Sequence, residues 1–378
     1  MYTGPGVKRV NHSYDAVDTP ALLVDRGILR RNISEMQKRA DKAGVSLRPH
    51  TKTHRTPAIA SMQVEAGAKG ITVAKAGEAE VMAENGMDDI FIANEIFGDR
   101  KFARLRKLAE KVRLTVGVDN REQVEALSRF FEGSAHPANV MIEIETGEER
   151  SGMLPVPDLA TLASFIYKTA NVRFRGIFSH EGHTYGASTR EECAALFRKS
   201  QEDTLLAAGI IREAGIPVET VSIGATPSIL LGNILSGITE IRPGTYALMD
   251  AAQGAAVGDF SCCAATVLAT VVSKPTPERT VLDSGVKALT AFTRGTGICH
   301  TPGHGILKGF SGLRVGKLYD EHGLVYGKEA GEQLQLGDRV EIIPNHICPT
   351  CNLYDRMYLV EDGRVVDELP ILCRGRSQ

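Results

Sequence analysis

Short apolar runs alternate with longer amphipathic ones along most of the chain. Runs rich in Val, Ile and Phe at 45–48, 70–74, 89–93, 114–118, 140–144, 174–178, 219–223 and 240–246 read as buried strands. Between most of them, apolar positions recur three and four residues apart, which predicts helices at 28–43, 76–85, 101–111, 121–131, 157–168 and 190–214. Eight apolar strands spaced in this way predict a parallel (β/α)8 barrel of TIM type, an α/β architecture. A doubly wound sheet would need fewer strands and a reversal of their order. No Gly-rich dinucleotide fingerprint follows the first strand. The tightest step is 228–235, where the last crossover must be made in barely two helical turns.

After about residue 256 the pattern changes. Strand-like runs at 264–273, 280–283, 313–318, 339–343, 357–360 and 364–366 follow one another with little helical periodicity, and Glu361-Asp362-Gly363-Arg364 carries hairpin chemistry. This reads as a C-terminal all-β domain. Residues 1–20 are polar and are expected to wrap loosely over the body, while 21–25 forms an isolated apolar strand that adds to the second domain. The expected division is therefore a barrel over 26–255 and a β-domain made of 1–25 and 256–378.

Composition narrows the function classes. The chain has 378 residues, 43% hydrophobic and 24% charged, with a net charge of −2. That balance leaves no basic stripe, so nucleic acid is not an expected partner. No apolar run reaches transmembrane length, and no membrane role is expected. The N-terminus carries no charged-then-apolar signal segment, which points to the cytoplasm. Seven cysteines, an odd number in a large chain, argue for reduced thiols rather than a disulfide framework.

In a barrel of this type chemistry collects at the carboxyl ends of the strands. After the first strand comes Arg48-Pro49-His50-Thr51-Lys52-Thr53-His54. A lysine buried there has a nucleophilic amine suited to a Schiff base with an aldehyde cofactor; otherwise Lys52 is a solvated loop lysine. Phosphate is commonly held by the loops after the seventh and eighth strands, here Gly224-Ala225-Thr226-Pro227-Ser228 and Arg242-Pro243-Gly244-Thr245-Tyr246. Arg150 follows the fifth strand and could pair with a cofactor ring atom or with an adjacent glutamate. The sixth strand ends in Ser179-His180-Glu181-Gly182-His183-Thr184-Tyr185, whose imidazoles and phenol could stack on a planar ring or move protons. Farther on, in Pro344-Asn345-His346-Ile347-Cys348-Pro349-Thr350-Cys351, residues two apart on a strand would face one side, so His346 and Cys348 could offer nitrogen and sulfur to one cation. Cys348 and Cys351 also read as a redox pair or half a zinc site, although no second Cys-x-x-Cys completes the latter.

With these motifs in place, the chain resembles the D-threonine aldolase / D-serine dehydratase family of alanine-racemase-like, fold type III pyridoxal-phosphate enzymes. The likeness runs from Asp18-Thr19-Pro20-Ala21 to Cys373-Arg374-Gly375. It is carried most specifically by Arg48-Pro49-His50-Thr51-Lys52, Arg242-Pro243-Gly244-Thr245-Tyr246 with Asp250, Glu321-His322-Gly323 and the stretch 344–350. The resemblance implies Lys52 as the Schiff-base lysine; the base that takes the substrate's hydroxyl proton would be His183 or a metal-bound water. It implies Arg150, His180, Tyr185, Gly224, Ala225, Thr226, Gly244 and Tyr246 as cofactor contacts, with His346 and Cys348 holding a divalent cation (Zn, Mn or Mg).

The substrate so implied is a small D-3-hydroxy amino acid, undergoing retro-aldol cleavage to glycine and an aldehyde, or β-elimination to a 2-oxo acid and ammonia. Cys348 in the second ligand place looks like the dehydratases, as do Gly182-His183-Thr184-Tyr185 and the stretch 222–227. The stretch 349–355 looks like the aldolases. A racemase on the same scaffold would need a second base, for which Tyr326 and Tyr354 are candidates. Simple carriage of the cofactor would not need the additional β-domain. The resemblance also implies a homodimer.

Overall fold

The computed structural model describes residues 8–13 and 16–378. Two strands, β1 (Lys8–Ser13) and β2 (Ala21–Asp25), precede the long helix α1 (Arg26–Ala43). Eight strands then alternate with helices: β3 (Ser46–Leu47), α2 (Pro57–Glu65), β4 (Ile71–Val73), α3 (Ala76–Glu84), β5 (Asp89–Glu95), α4 (Asp99–Ala109), β6 (Arg113–Val118), α5 (Arg121–Phe130), β7 (Ala138–Ile144), α6 (Asp158–Lys168), β8 (Val172–Ser179), α7 (Arg190–Glu213), β9 (Thr220–Ile223), α8 (Thr226–Leu231) and β10 (Glu240–Ile241). The pairing is parallel throughout. The order β3-β10-β9-β8-β7-β6-β5-β4 leaves the first two strands at opposite ends of the row. They meet through the parallel bridge His50–Thr72 and the bond from Lys69 N–H to the Leu47 carbonyl, 2.9 Å, which close the barrel.

The interior combines an apolar layer with a buried polar chain. Phe91 and Phe178 meet edge to face at 5.0 Å, with Met141 beside them. Gly117 leaves room for this pair, since a Cβ there would stand 2.9 Å from the Phe178 ring. Below, Arg48 donates to Glu240 at 2.8 Å and Asp89 at 2.6 Å, and Ser222 donates to the other Glu240 oxygen at 2.7 Å. Arg242 donates to Ser222 Oγ at 2.5 Å and to the Ser179 carbonyl at 2.6 Å. Arg48 is thus ion-paired and Arg242 hydrogen-bonded to neutral oxygens, which offsets part of the cost of burying their charge.

The remaining elements are α9 (Ala251–Val257), β11 (Ala265–Thr276), β12 (Arg279–Leu282), α10 (Val286–Leu289), β13 (Ile306–Leu307), β14 (Val315–Leu318), β15 (Gly323–Tyr326), α11 (Lys328–Gln333), β16 (Arg339–Ile343), α12 (Ile347–Cys351), β17 (Arg356–Glu361) and β18 (Arg364–Pro370). Their sheet is mostly antiparallel and takes in β2 between β17 and β11; only the β2–β17 pair is parallel. The β17–β18 hairpin turns at Asp362 and Gly363, both at positive φ (50° and 71°), as a two-residue turn demands. Contacts divide the chain into two units. The barrel unit holds 36–52, 59–244 and 375–378; the β unit holds 53–58, 245–374 and the described residues up to 35.

Three expectations are corrected. The run 240–246 is a strand only over Glu240–Ile241, because Pro243 cannot donate to a ladder and the chain turns into a tight 3-10 turn at Thr245–Ala247. Residues 8–13 do not wrap loosely but pair with β18 as an edge strand, which needs backbone donors rather than apolar side chains; residues 1–7 and 14–15 lie outside the described residues. The segment 346–348 is not strand: β16 stops at Ile343, and His346 caps the short α12, whose first turn accommodates Pro349. The crossover at 228–235 is as short as expected, six residues of α8. None of the seven cysteines is joined to another in a disulfide. No helix among the described residues is long and apolar enough to cross a membrane.

Candidate active site

In the barrel unit, the turn after β3 carries Lys52, half-buried, at the carboxyl end of the strand. His50 is buried beneath it and accepts the Lys52 backbone N–H at Nδ1, 3.5 Å. Burial, then the charges of Lys52 and Arg242, push the His50 pKa well below the ordinary range. His180 follows β8 immediately, with Nδ1 2.5 Å from the Gly224 carbonyl. A carbonyl only accepts, so Nδ1 carries the proton and Nε2 the lone pair. Burial, then the charges of Lys52 and Arg150, lower its pKa well below normal as well. Lysine and two neutral imidazoles therefore stand together.

Acidic groups frame the same strand ends. Arg150, 49% exposed, pairs with Glu143 at 3.2 Å and Glu148 at 3.4 Å, realising the ion-pair alternative. Glu148 reaches toward His180 Nε2 at 4.0 Å and lies over Gly182, where a Cβ would fall 1.8 Å from its carboxylate. Burial, then the neighbouring Glu143, push the Glu95 carboxyl up to about 8. Glu181 is wholly buried against Ser179 Oγ (3.1 Å) and the Gly224 N–H (3.4 Å). Burial outweighs the Arg242 charge and pushes it up to about 7.

Gly224 fits where the chain passes close to the Arg242 backbone, 2.8 Å from where a Cβ would lie. Ala225 precedes α8 in extended conformation, and the Thr226 hydroxyl is buried with no partner among the described residues. An orphaned hydroxyl after the seventh barrel strand fits a phosphate oxygen, and an amine after the first fits an aldehyde. Gly244 ends the barrel unit. His183 and Tyr185 lie in the tight turn Gly182–Gly186. His183 Nε2 is 3.3 Å from Ser200 Oγ on α7, its Nδ1 is buried without a partner among the described residues, and burial lowers its pKa.

The remaining residues singled out in the sequence lie in the β unit. Tyr246 is buried in the turn Thr245–Ala247. His346 Nδ1 is 3.2 Å from Asp250 Oδ2, and Cys348 Sγ is 3.3 Å from Thr53 Oγ1 and 3.9 Å from Thr245 Oγ1. Burial opposes a charged His346, but Cys348 and Asp250 outweigh it and push its pKa up to about 10. No group of three or more His, Cys, Asp or Glu side chains suited to a metal occurs among the described residues, so the pair would supply two ligands and leave the other positions to water or substrate.

Sequence reading missed His50, Glu95, Glu181, Arg242 and Thr53 as participants. Four of these had a signal: His50 and Thr53 sit on either side of Lys52 in one motif, and Glu181 and Arg242 fall within the stretches 179–185 and 242–246.

The sequence model of the alanine racemase N-terminal domain matches residues 24–252, and that of a serine dehydratase domain matches 264–360. The chain is 34% identical to D-threonine aldolase from an Arthrobacter species, over 96% of this chain and 94% of that one. It is 31% identical to D-threo-3-hydroxyaspartate dehydratase of Delftia sp. strain HT23, over 88% of this chain and 92% of that one. The crystal structure of D-threonine aldolase from Filomicrobium marinum superposes with a TM-score of 0.89 at 30% identity, covering 98% of this chain and 99% of that one.

Proposed function

The chain belongs to the alanine racemase N-terminal domain family, and on that premise we propose that it is a pyridoxal-phosphate-dependent lyase that cleaves a D-threonine-like 3-hydroxy amino acid to glycine and an aldehyde. The observation that carries the reading is the setting of Lys52, at a strand's carboxyl end between imidazoles that stay neutral. Lys52 holds the cofactor aldehyde covalently. Gly224, Ala225 and Thr226 take the phosphate, and Arg150, His180, Tyr185, Gly244 and Tyr246 complete the contacts. Bound there, pyridoxal phosphate supplies an electron sink for the bond broken at Cα. His346 and Cys348 hold a divalent cation, whose chemistry is to acidify the substrate hydroxyl; the soft sulfur favours zinc over manganese or magnesium.

The chain's own groups move the protons. His183, kept neutral by burial, accepts the β-hydroxyl proton as the Cα–Cβ bond breaks. The same site supports a second reading, favoured by Cys348 in the second ligand place and by the dehydratase relative. In it Lys52, freed when the substrate amine takes its place, would remove the α-proton, the β-hydroxyl would leave as water, and a water taken up afterwards would release the 2-oxo acid and ammonia. A racemase finds less support: Tyr354 donates its hydroxyl to the Ala288 carbonyl at 3.0 Å and burial pushes its pKa up, while Tyr326 is half exposed on β15. The reading includes a cytoplasmic homodimer, a cofactor domain at 26–255 and a β-domain at 1–25 and 256–378.

Incubation with D-threonine, pyridoxal phosphate and zinc tests it. Glycine with acetaldehyde supports the aldolase; 2-oxobutyrate with ammonia supports the dehydratase. Neither pair appearing defeats the lyase reading.

A further inference from the structure

The candidate cation ligands lean on buried oxygens from distant parts of the sequence: Asp250 for His346, and Thr53 at 3.3 Å, with Thr245 farther off at 3.9 Å, for Cys348. Asp250 is fully buried and held on three sides. Its Oδ1 accepts the Gln253 N–H at 2.9 Å, starting α9, and its Oδ2 accepts the Ile347 N–H at 3.0 Å, starting α12. The same Oδ2 lies 3.2 Å from His346 Nδ1. A carboxylate so anchored has no freedom to follow the ring; the ring must follow it. With Nδ1–H donating to Asp250, the Nε2 lone pair is the one left for a cation. The Phe292 ring, 4.8 Å from the imidazole, packs against it. On the other ligand, Thr53 is fully buried with Oγ1 3.3 Å from Cys348 Sγ. A cation-bound sulfur is a thiolate and can only accept, so with a metal in place the Thr53 hydroxyl would donate to it and withdraw charge.

We propose that Asp250 and Thr53 are positioning residues of the cation site: Asp250 fixes the His346 tautomer and ring plane so that Nε2 binds the metal, and Thr53 orients and tunes the Cys348 sulfur. The inference rests on the cation reading above. Outer partners of this kind typically change metal affinity about 10–100-fold when removed.

The test uses the full-length holoenzyme, stripped of divalent metal with a chelator and titrated with Co²⁺ while the visible and near-ultraviolet spectrum is recorded. Asp250→Asn is expected to weaken Co²⁺ binding about 10–100-fold and to shift the ligand-field bands. Thr53→Val, of the same shape and remote from any helix cap, is expected to weaken binding and to shift the sulfur-to-cobalt charge-transfer band. Melting curves of the metal-free proteins report whether either change acts on the fold alone. Wild-type affinity and spectrum in either variant overturns the inference. Cobalt uptake that His346→Ala abolishes and these variants leave untouched sinks it while sparing the cation reading. No uptake by the wild-type chain sinks both. Should Asp250→Asn fail to fold, ¹⁵N shifts of His346 in the unaltered protein decide its part: a proton on Nδ1 and metal on Nε2 support it, and the reverse arrangement overturns it.

Discussion

Replacing Glu181 with glutamine makes a sharp test of the barrel's electrostatics. The carboxyl is wholly buried, and burial raises it from the ordinary 4.5 to about 7. A raised folded-state pKa means that the native chain binds the proton more tightly than the unfolded chain does. The stability this confers is complete below pH 4.5 and is lost as pH rises toward 7. Each unit of difference corresponds to about 1.4 kcal/mol, so the shift implies a loss of about 2–3 kcal/mol between pH 5 and pH 8. Glutamine matches the neutral acid in shape, keeps an oxygen for Ser179 and the Gly224 N–H, and does not titrate. Urea unfolding of both proteins across pH 5–8 should show the wild type losing ground to Glu181→Gln by that amount, most of it below pH 7. Parallel pH profiles would refute the argument, and a profile in which the wild type gains on the variant would reverse its sign.

Other outcomes follow from the same interior. Arg48→Met leaves Glu240 buried without its cation and Asp89 with only the exposed Arg113 at 3.5 Å, and should cost about 3–5 kcal/mol in denaturant unfolding; a cost under about 1 kcal/mol would contradict the pairing. Gly176 sits at φ 140° beside the irregularity where β8 gains one residue on β7, and a Cβ there would lie 2.0 Å from the Thr220 carbonyl. Gly176→Ala should therefore lose at least about 2 kcal/mol or fail to fold, read from the same unfolding curves. Gly182→Ala should instead displace the flexible Glu148 side chain, leaving stability within about 1 kcal/mol while lowering kcat/KM.

The barrel was legible because burial on both faces leaves each parallel strand a nearly continuous apolar run, and each helix a clear stripe. Strand ends were read less well. Pro243 and Pro344 stop ladders inside stretches whose composition looks extended. The edge strand β1 has no apolar signature because its pairing is made by the backbone. Lys52, His180 and Gly224 stood out by their place after strands. Thr53 and Asp250 gained meaning only through partners 295 and 96 residues away, a separation that no local period records. Glu181 and Arg242 lay within the stretches singled out, yet each is an ordinary charge in sequence and a buried one in the fold.

The central claim is a covalent one and can be read by mass. Borohydride reduction of the yellow holoenzyme, followed by digestion, should leave the reduced cofactor on the peptide containing Lys52 and nowhere else, and Lys52→Ala should show neither the colour nor the adduct. An adduct on another lysine, or an unmodified Lys52 peptide from fully reduced protein, would contradict the account.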